Sequence, residues 1–308
     1  MKKISVLFLL IILLTGCKIK SNNKKTIIVT NFSSYDFVRA ILKDTDNIEL
    51  KMLISPGSEI HHYEPSPKDI KNIINSKIFI YVGGESDEWI DDILKDINKD
   101  KTSLVKLMDL VDLKEEEIIE GMESDEEEEE EEVEYDEHIW SSPKNAVTIV
   151  NYLKEEIIKI DPENKDIYET NANKYISKLK EIDNEFKNIV ANSKRKIMVF
   201  GDRFPLRYFA DEYNLSYYAA FPGCSEQTEA SAKTISYLVN KVKEDNIPVV
   251  FKIELSNGNI ANTIAEETNA KVLTFNSAHN ISLDDFNKGI TYVDIMKSNI
   301  EVLKEALN

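Results

Sequence analysis

"DPENKDIYETNANKYISKLKEIDNEFKNIVAN", residues 161 to 192, is the most regular stretch of the chain. Tyr168, Ala172, Tyr175, Leu179, Ile182, Phe186 and Ile189 recur at spacings of four and three, so they share one face of a helix, and neither Gly nor Pro interrupts the stripe. Asp161 stands where an N-cap belongs and Pro162 at the first helical position, where its missing N–H costs nothing. A helix from 162 to 191 would run roughly 45 Å, long enough to back two domains. It reads as a stiff spine rather than a hinge.

On both sides of this helix, short β-branched runs alternate with amphipathic patterns. Before it come "TIIVTN" (26–31), "IELKMLI" (48–54), "KIFIYVG" (77–83) and "SLVKL" (103–107), with helical spacing at 34–43, 67–75 and 86–98. After it come "KIMVF" (196–200), "SYYAAF" (216–221), "PVVFKIE" (248–254) and "AKVLTF" (270–275), again with helical patterns between, and a closing helix in "YVDIMKSNIEVLKEALN". Strands alternating with helices predict parallel sheets. The expected architecture is α/β: two lobes, each a parallel β-sheet flanked by helices, joined by the spine. The two halves share a pattern and no residue-level repeat.

The N-terminus places the protein. "MKKISVLFLLIILLTGC" has Lys2 and Lys3, an apolar stretch from Ile4 to Leu14, then small residues before Cys17. That stretch is too short to span a bilayer, which takes about 20 residues, and fits a secretory signal peptide. "LTGC" resembles the bacterial lipobox, which implies a mature chain starting at a lipidated Cys17. The expected layout is signal peptide 1–16, polar tether 17–25, N-terminal lobe 26–142, connecting helices with the spine 143–195, and C-terminal lobe 196–308. With Cys17 lipidated, Cys224 is left alone, so an exported chain has no disulfide and holds together by packing. A single cysteine of this kind is more often a small packed hydrophobe than a ligand.

Charge excludes one class of partner. The formal net charge is -18, but twelve carboxylates lie between Glu123 and Glu137, so the acidity is one local feature. A chain this negative lacks the clustered cations that nucleic-acid phosphates require. The 308 residues are 42% hydrophobic, enough for real cores.

Ligands of doubly wound sheets bind in the crevice at the carboxyl ends of the strands. All four histidines fall in loops at or beside such ends: His61 and His62 after "IELKMLI", His138 before "SPKNAV", and His279 after "VLTFNSA". Imidazole is the commonest transition-metal ligand, so histidines gathered on one rim point to a metal.

"PGSEIHHYEPSPKDI" (56–70), "HIWSSPKNAV" (138–147) and "TYVDIMKSNIEVLKEAL" (291–307) resemble the signatures of zinc- and manganese-binding lipoproteins of bacterial ABC importers, solute-binding protein family 9. The resemblance covers essentially the whole mature chain and implies the metal-type periplasmic-binding-protein fold. It implies His61 as ligand, with His62 its neighbour, and His138 as a second. Where the family has a third histidine, this chain reads "VFGDRFPLRYF", with Gly201 and Asp202. The turn after the last strand offers His279 in place of the usual late aspartate. The expected set is His61, His138 and His279 with one carboxylate, Asp202 first, Glu226 and Glu254 as alternatives.

Three imidazoles and a carboxylate favour Zn²⁺, and a shell richer in carboxylate would suit Mn²⁺. The implied function is capture of Zn²⁺, alternatively Mn²⁺, by a monomeric protein lipid-anchored on the extracytoplasmic side of the membrane, and delivery to an ABC permease and its ATPase. A zinc hydrolase would want H-E-x-x-H or a similar cluster, which the chain lacks. An adhesin has no specific signal. The acidic run is expected to act as a collector of cations, against the plainer reading of a solvated spacer.

Overall fold

The computed structural model describes residues 24–58, 63–123, 134–225, 227 and 229–308. Cys17 and most of the tether, His61 and His62, residues 124–133 of the acidic run, and Glu226 lie outside the described residues.

The first lobe runs β1 (Lys25–Val29), α1 (Phe32–Ile41), β2 (Ile48–Met52), α2 (Pro67–Ile74), β3 (Ile78–Tyr81), α3 (Ile90–Leu94) and β4 (Ser103–Lys106). Two long helices follow, α4 (Pro143–Ile160) and α5 (Lys165–Ala191). The second lobe runs β5 (Ile197–Arg203), α6 (Arg207–Tyr213), β6 (Ser216–Phe221), α7 (Ala232–Glu244), β7 (Val249–Lys252), α8 (Asn259–Thr268), β8 (Lys271–Thr274), α9 (Leu283–Asn287) and α10 (Tyr292–Leu307). The sheets have the orders β2-β1-β3-β4 and β6-β5-β7-β8, and every pairing in them is parallel. The same order in both lobes turns a shared pattern into a shared topology. Central strands such as β3, "IFIY", are buried along their whole length, which is why they read as apolar runs and not as alternation.

The spine is α5, of 27 residues and roughly 40 Å. It begins three residues later than the sequence suggests. Pro162–Asn164 form a separate 3-10 turn to which Asp161 gives no side-chain cap; its N–H closes α4 on the Ile157 carbonyl, and its carboxylate accepts hydrogen bonds from Asn164 Nδ2 (2.8 Å), Tyr168 Oη (2.7 Å) and Lys25 Nζ (3.2 Å). Lys25 is the first residue of β1. The helical pattern at 86–98 also resolves differently, into a 3-10 turn at Glu85–Asp87 and the short α3. There the Asp87 carboxylate takes the N–H groups of Val82 (2.6 Å) and Gly83 (3.1 Å) and folds the chain back.

Tyr168, Ala172, Tyr175, Leu179, Ile182 and Phe186 are buried as the stripe requires, with Val190 rather than Ile189 closing it. One apolar cluster runs unbroken from Ile27 and Phe37 through Tyr175 and Leu179 of the spine to Phe251 and Tyr292. At its centre the buried Asp36 accepts from Tyr175 Oη (2.7 Å), the Tyr292 N–H (2.8 Å) and Arg39 Nε (3.0 Å), tying first lobe, spine and second lobe at one carboxylate. Among the described residues no helix is long and apolar enough to cross a membrane.

Candidate metal centre

His138 and His279 come from different lobes and meet. Their ring centroids are 5.0 Å apart at 89°, and Trp140 packs against both, at 5.5 Å from His138 and 4.8 Å from His279. Each is placed by its own segment. After His138 the chain makes one 3-10 turn, Ile139–Ser141, and then Ser142 caps α4 by accepting from the Asn145 N–H. Trp140 donates from Nε1 to the Ser277 carbonyl (3.0 Å), and its own carbonyl accepts from Tyr292 Oη (2.7 Å), so the first lobe's loop is pinned to the second lobe.

The loop carrying His279 is braced from below by Glu254. One oxygen of that carboxylate accepts from the Ser277 N–H (2.6 Å), the other from Ser277 Oγ (2.6 Å) and the His279 N–H (3.2 Å). Burial pushes the Glu254 carboxyl up, and these donors only partly offset it. Ala278 lies between them in the left-handed region (φ 58°), which costs a non-glycine residue roughly 1 to 2 kcal/mol, and Ser33 Oγ holds its carbonyl at 2.6 Å. Glu254 therefore positions His279.

His138 is fully buried, deeper than a rim position suggests. Its Nδ1 lies 3.3 Å from Asp136 Oδ1, while its Nε2 is buried with no hydrogen-bond partner among the described residues. Such an orphaned nitrogen is costly unless something fills its lone pair. Burial pushes the imidazolium down, yet Asp136, Glu137 and Glu116 outweigh it and leave the ring more basic than an ordinary histidine. Among the described residues one group of possible ligands has its atoms within 4.8 Å of one another: Glu137, His138 and His279, all buried.

Asp202 lines the same cavity of roughly 240 Å³ as His138 and His279. It stands outside that group. Its oxygens accept from the backbone N–H groups of Arg203 (2.9 Å) and Ile253 (3.3 Å), so its contact with Arg203 is through the main chain. Gly201 explains the missing family histidine in steric terms. A Cβ there would fall 2.4 Å from Ala261 Cα, so no side chain fits. Gly223 is set less tightly, its virtual Cβ 3.0 Å from Asp136 Oδ2 and 3.4 Å from His138 Cε1. Its neighbour Cys224 is buried, and burial together with the nearby Glu137, Glu116, Asp136 and Glu85 holds the thiol well above its ordinary range, so it stays protonated.

His61 itself is outside the described residues, but its flank is not. Ser58 lines the cavity, and Asn280, next to His279, donates to the carbonyls of Ser58 (2.8 Å) and Ser55 (3.1 Å). Three residues span at most about 11 Å.

The family model described as "Zinc-uptake complex component A periplasmic" matches residues 27–306. The chain belongs to this family. It is 32% identical over 292 residues to the high-affinity zinc uptake system protein ZnuA of Bacillus subtilis, covering 95% of this chain and 90% of that protein. It is 30% identical over 309 residues to the zinc-binding lipoprotein AdcA of Streptococcus pneumoniae, covering 99% of this chain but 61% of that longer protein. Among solved structures it is similar to the metal-dependent lipoprotein YcdH of Bacillus subtilis (TM-score 0.77, 30% identity, 92% of this chain and 100% of that one). It is also similar to the zinc-bound ZnuA-like domain of Streptococcus pneumoniae AdcA (TM-score 0.75, 28% identity, 92% and 99%). Membership of the zinc-uptake family agrees with what the histidine motifs imply.

Glu137 is the residue that sequence reasoning passed over. It was hidden as the last of twelve carboxylates, and only its place immediately before His138 set it apart.

Proposed function

We propose that this protein captures Zn²⁺ between its lobes and hands it to the permease and ATPase of an ABC importer, without making or breaking a covalent bond. The observation that carries this is the buried group of His138, His279 and Glu137, in which the Nε2 of His138 has no hydrogen-bond partner among the described residues. His61 is the further imidazole, reached from the Ser58 flank. Asp202 lines the cavity but stands outside that group, so it is not placed among the ligands. A shell rich in imidazole suits Zn²⁺ better than Mn²⁺. Metal binding needs the unprotonated imidazole, so metal and proton compete for His138. Lipid on Cys17 would hold the mature monomer at the outer face of the membrane, with the layout of signal, tether, lobes and spine read from the sequence.

Elemental analysis of the mature protein purified without added metal, followed by competition between Zn²⁺ and Mn²⁺, tests the proposal. Zinc at a thousandfold excess over Kd should stabilise the fold by about 4 kcal/mol. A melting temperature indifferent to zinc at neutral pH would sink it.

A further inference from the structure

We propose that Glu137 is itself a metal-contacting carboxylate, positioned by Ser86 to complete the shell begun by His138 and His279. This deepens the zinc-capture reading and rests on it.

The placement of Glu137 is specific. Its side chain is buried, and each oxygen takes one hydrogen bond from the same residue of the β3–α3 turn: the Ser86 N–H reaches Oε2 (3.1 Å) and Ser86 Oγ reaches Oε1 (2.5 Å). An ionised carboxylate offers about four lone-pair sites, so these two bonds fix its orientation and leave lone pairs for a cation. Gly84 is what lets it approach, because a Cβ at that position would stand 2.5 Å from Glu137 Cβ. The turn that supplies Ser86 thus has the glycine that makes room for Glu137.

The surroundings ask for a positive charge. Asp136 stands beside it in sequence and engages His138, and the adjacent cavity, lined in part by Glu85, Asp87, Glu116 and Glu134, has Lys106 as the one cation among its described lining residues. A buried carboxylate among carboxylates is expensive unless a cation is shared with it. Within 4.8 Å of its ligand atom lie those of two imidazoles, one with its Nε2 orphaned. A divalent ion at that point would satisfy the carboxylate and the nitrogen together. The contrast with Asp202 is one of place, since that residue lines the cavity but lies outside the group. One hard oxygen beside imidazoles also bears on specificity, because each oxygen that replaces nitrogen makes the shell more hospitable to Mn²⁺.

The test compares Glu137→Gln, Glu137→Asp, Ser86→Ala, Asp202→Asn and His138→Ala in the full mature chain. Zinc affinity is read by competition with a chromophoric chelator, the shell by the visible spectrum of the Co²⁺-substituted protein, and folding by circular dichroism of the metal-free forms. Glu137→Gln should raise the zinc Kd by about 10- to 100-fold and alter the Co²⁺ bands, since even residues behind metal ligands are worth that much. Glu137→Asp, which keeps the charge and withdraws it by one methylene, should fall between Gln and wild type, which gives a second reading should the Gln variant fail to fold. Ser86→Ala should weaken zinc binding a few-fold and keep the Co²⁺ spectrum, and Asp202→Asn should leave both near wild type. Wild-type affinity and spectrum in both Glu137 variants, with His138→Ala losing zinc, would overturn the role of Glu137 and leave zinc capture standing. Zinc binding that survives His138→Ala would overturn the capture site itself.

Discussion

The two lobes have the same sheet order, yet they deliver their histidines differently. In the second lobe His279 comes five residues after β8, on a short loop clamped by one buried carboxylate, Glu254. In the first lobe the path from β4 to His138 is long and leans on the opposite lobe. Tyr208 Oη accepts from the Lys114 N–H (3.2 Å) and donates to the Asp136 carbonyl (2.8 Å), Glu116 accepts from the Cys224 N–H (3.1 Å), and the Glu123 N–H donates to the Ala220 carbonyl (2.9 Å). Near its other end the excursion closes on itself, Glu116 N–H to the Glu134 carbonyl and Asp136 N–H to the Lys114 carbonyl. The second lobe's half of the site therefore has a clamp of its own in Glu254 besides its contacts with Ser33 and Trp140 across the crevice, whereas the first lobe's half is held largely by docking on its neighbour. The lesson is that equal topology fixes where a loop emerges and leaves open what holds it.

The largest effect should come from the ligands themselves. Structural zinc sites are worth ~10 to 16 kcal/mol over about four ligands, so losing one costs roughly 3 kcal/mol, about a hundredfold in affinity. His138→Ala and His279→Ala should each weaken zinc binding by at least that much in a chelator competition. If only one of them did, the two lobes would not share the ion.

Next comes the clamp. Glu254→Ala leaves the Ser277 and His279 N–H groups and Ser277 Oγ without their acceptor, so the metal-free protein should lose about 2 to 4 kcal/mol of stability in urea unfolding, and zinc affinity should drop about tenfold through the displaced His279. Unchanged stability would mean that Glu254 does not clamp the second lobe's loop as described.

A smaller effect tests the first lobe's acidic wall. Burial, and then the charge of Glu137, push the Asp87 carboxyl up to about 7 from an ordinary 3.8. A raised acid binds its proton more tightly in the folded state, so the stability it contributes is full below about 4 and is lost as pH rises through 7. Asp87→Asn keeps an oxygen for the Val82 and Gly83 N–H groups and removes the titration. The melting temperature of the metal-free wild type should therefore fall relative to this variant between pH 5 and pH 8, and parallel curves would count against the repulsion.

The smallest equilibrium effect belongs to the acidic run, proposed as a collector. Replacing Glu126 to Glu132 by glutamine should slow zinc association several-fold at low salt, with the difference shrinking at physiological ionic strength, where the screening length is about 8 Å. The tight site should keep its affinity within a few-fold. Equal stopped-flow rates at low salt would reduce the run to a spacer.

How much of the site was legible differs by residue. His138 and His279 stand out because histidines are scarce here and sit at strand ends, and both lie in the cavity. Glu254 was weighed as a ligand because it ends a strand at the rim, and the structure spends its oxygens on the His279 loop instead. Glu137 carried no signal of its own, since a carboxylate in a run of twelve looks like solvated charge until its burial against Ser86 is seen.

The sequence by itself determined the elements. A spacing of three and four makes a helix wherever that face finds apolar cover, and β-branched runs between helices make parallel strands, so the spine, eight strands and two lobes could be read from local pattern. The start of the spine was misread because the Asp161 carboxylate takes side-chain donors, Lys25 and Asn47 far along the chain and Asn164 and Tyr168 nearby, rather than the N–H groups of a helix start. What only the tertiary structure decided is which groups meet. His138 and His279 are 141 positions apart, Glu137 finds Ser86 across 51, and Gly201 is excluded from carrying a ligand by Ala261. Local sequence sets backbone propensity over a few residues, whereas a metal shell is set by contacts between loops that only the packed core brings together.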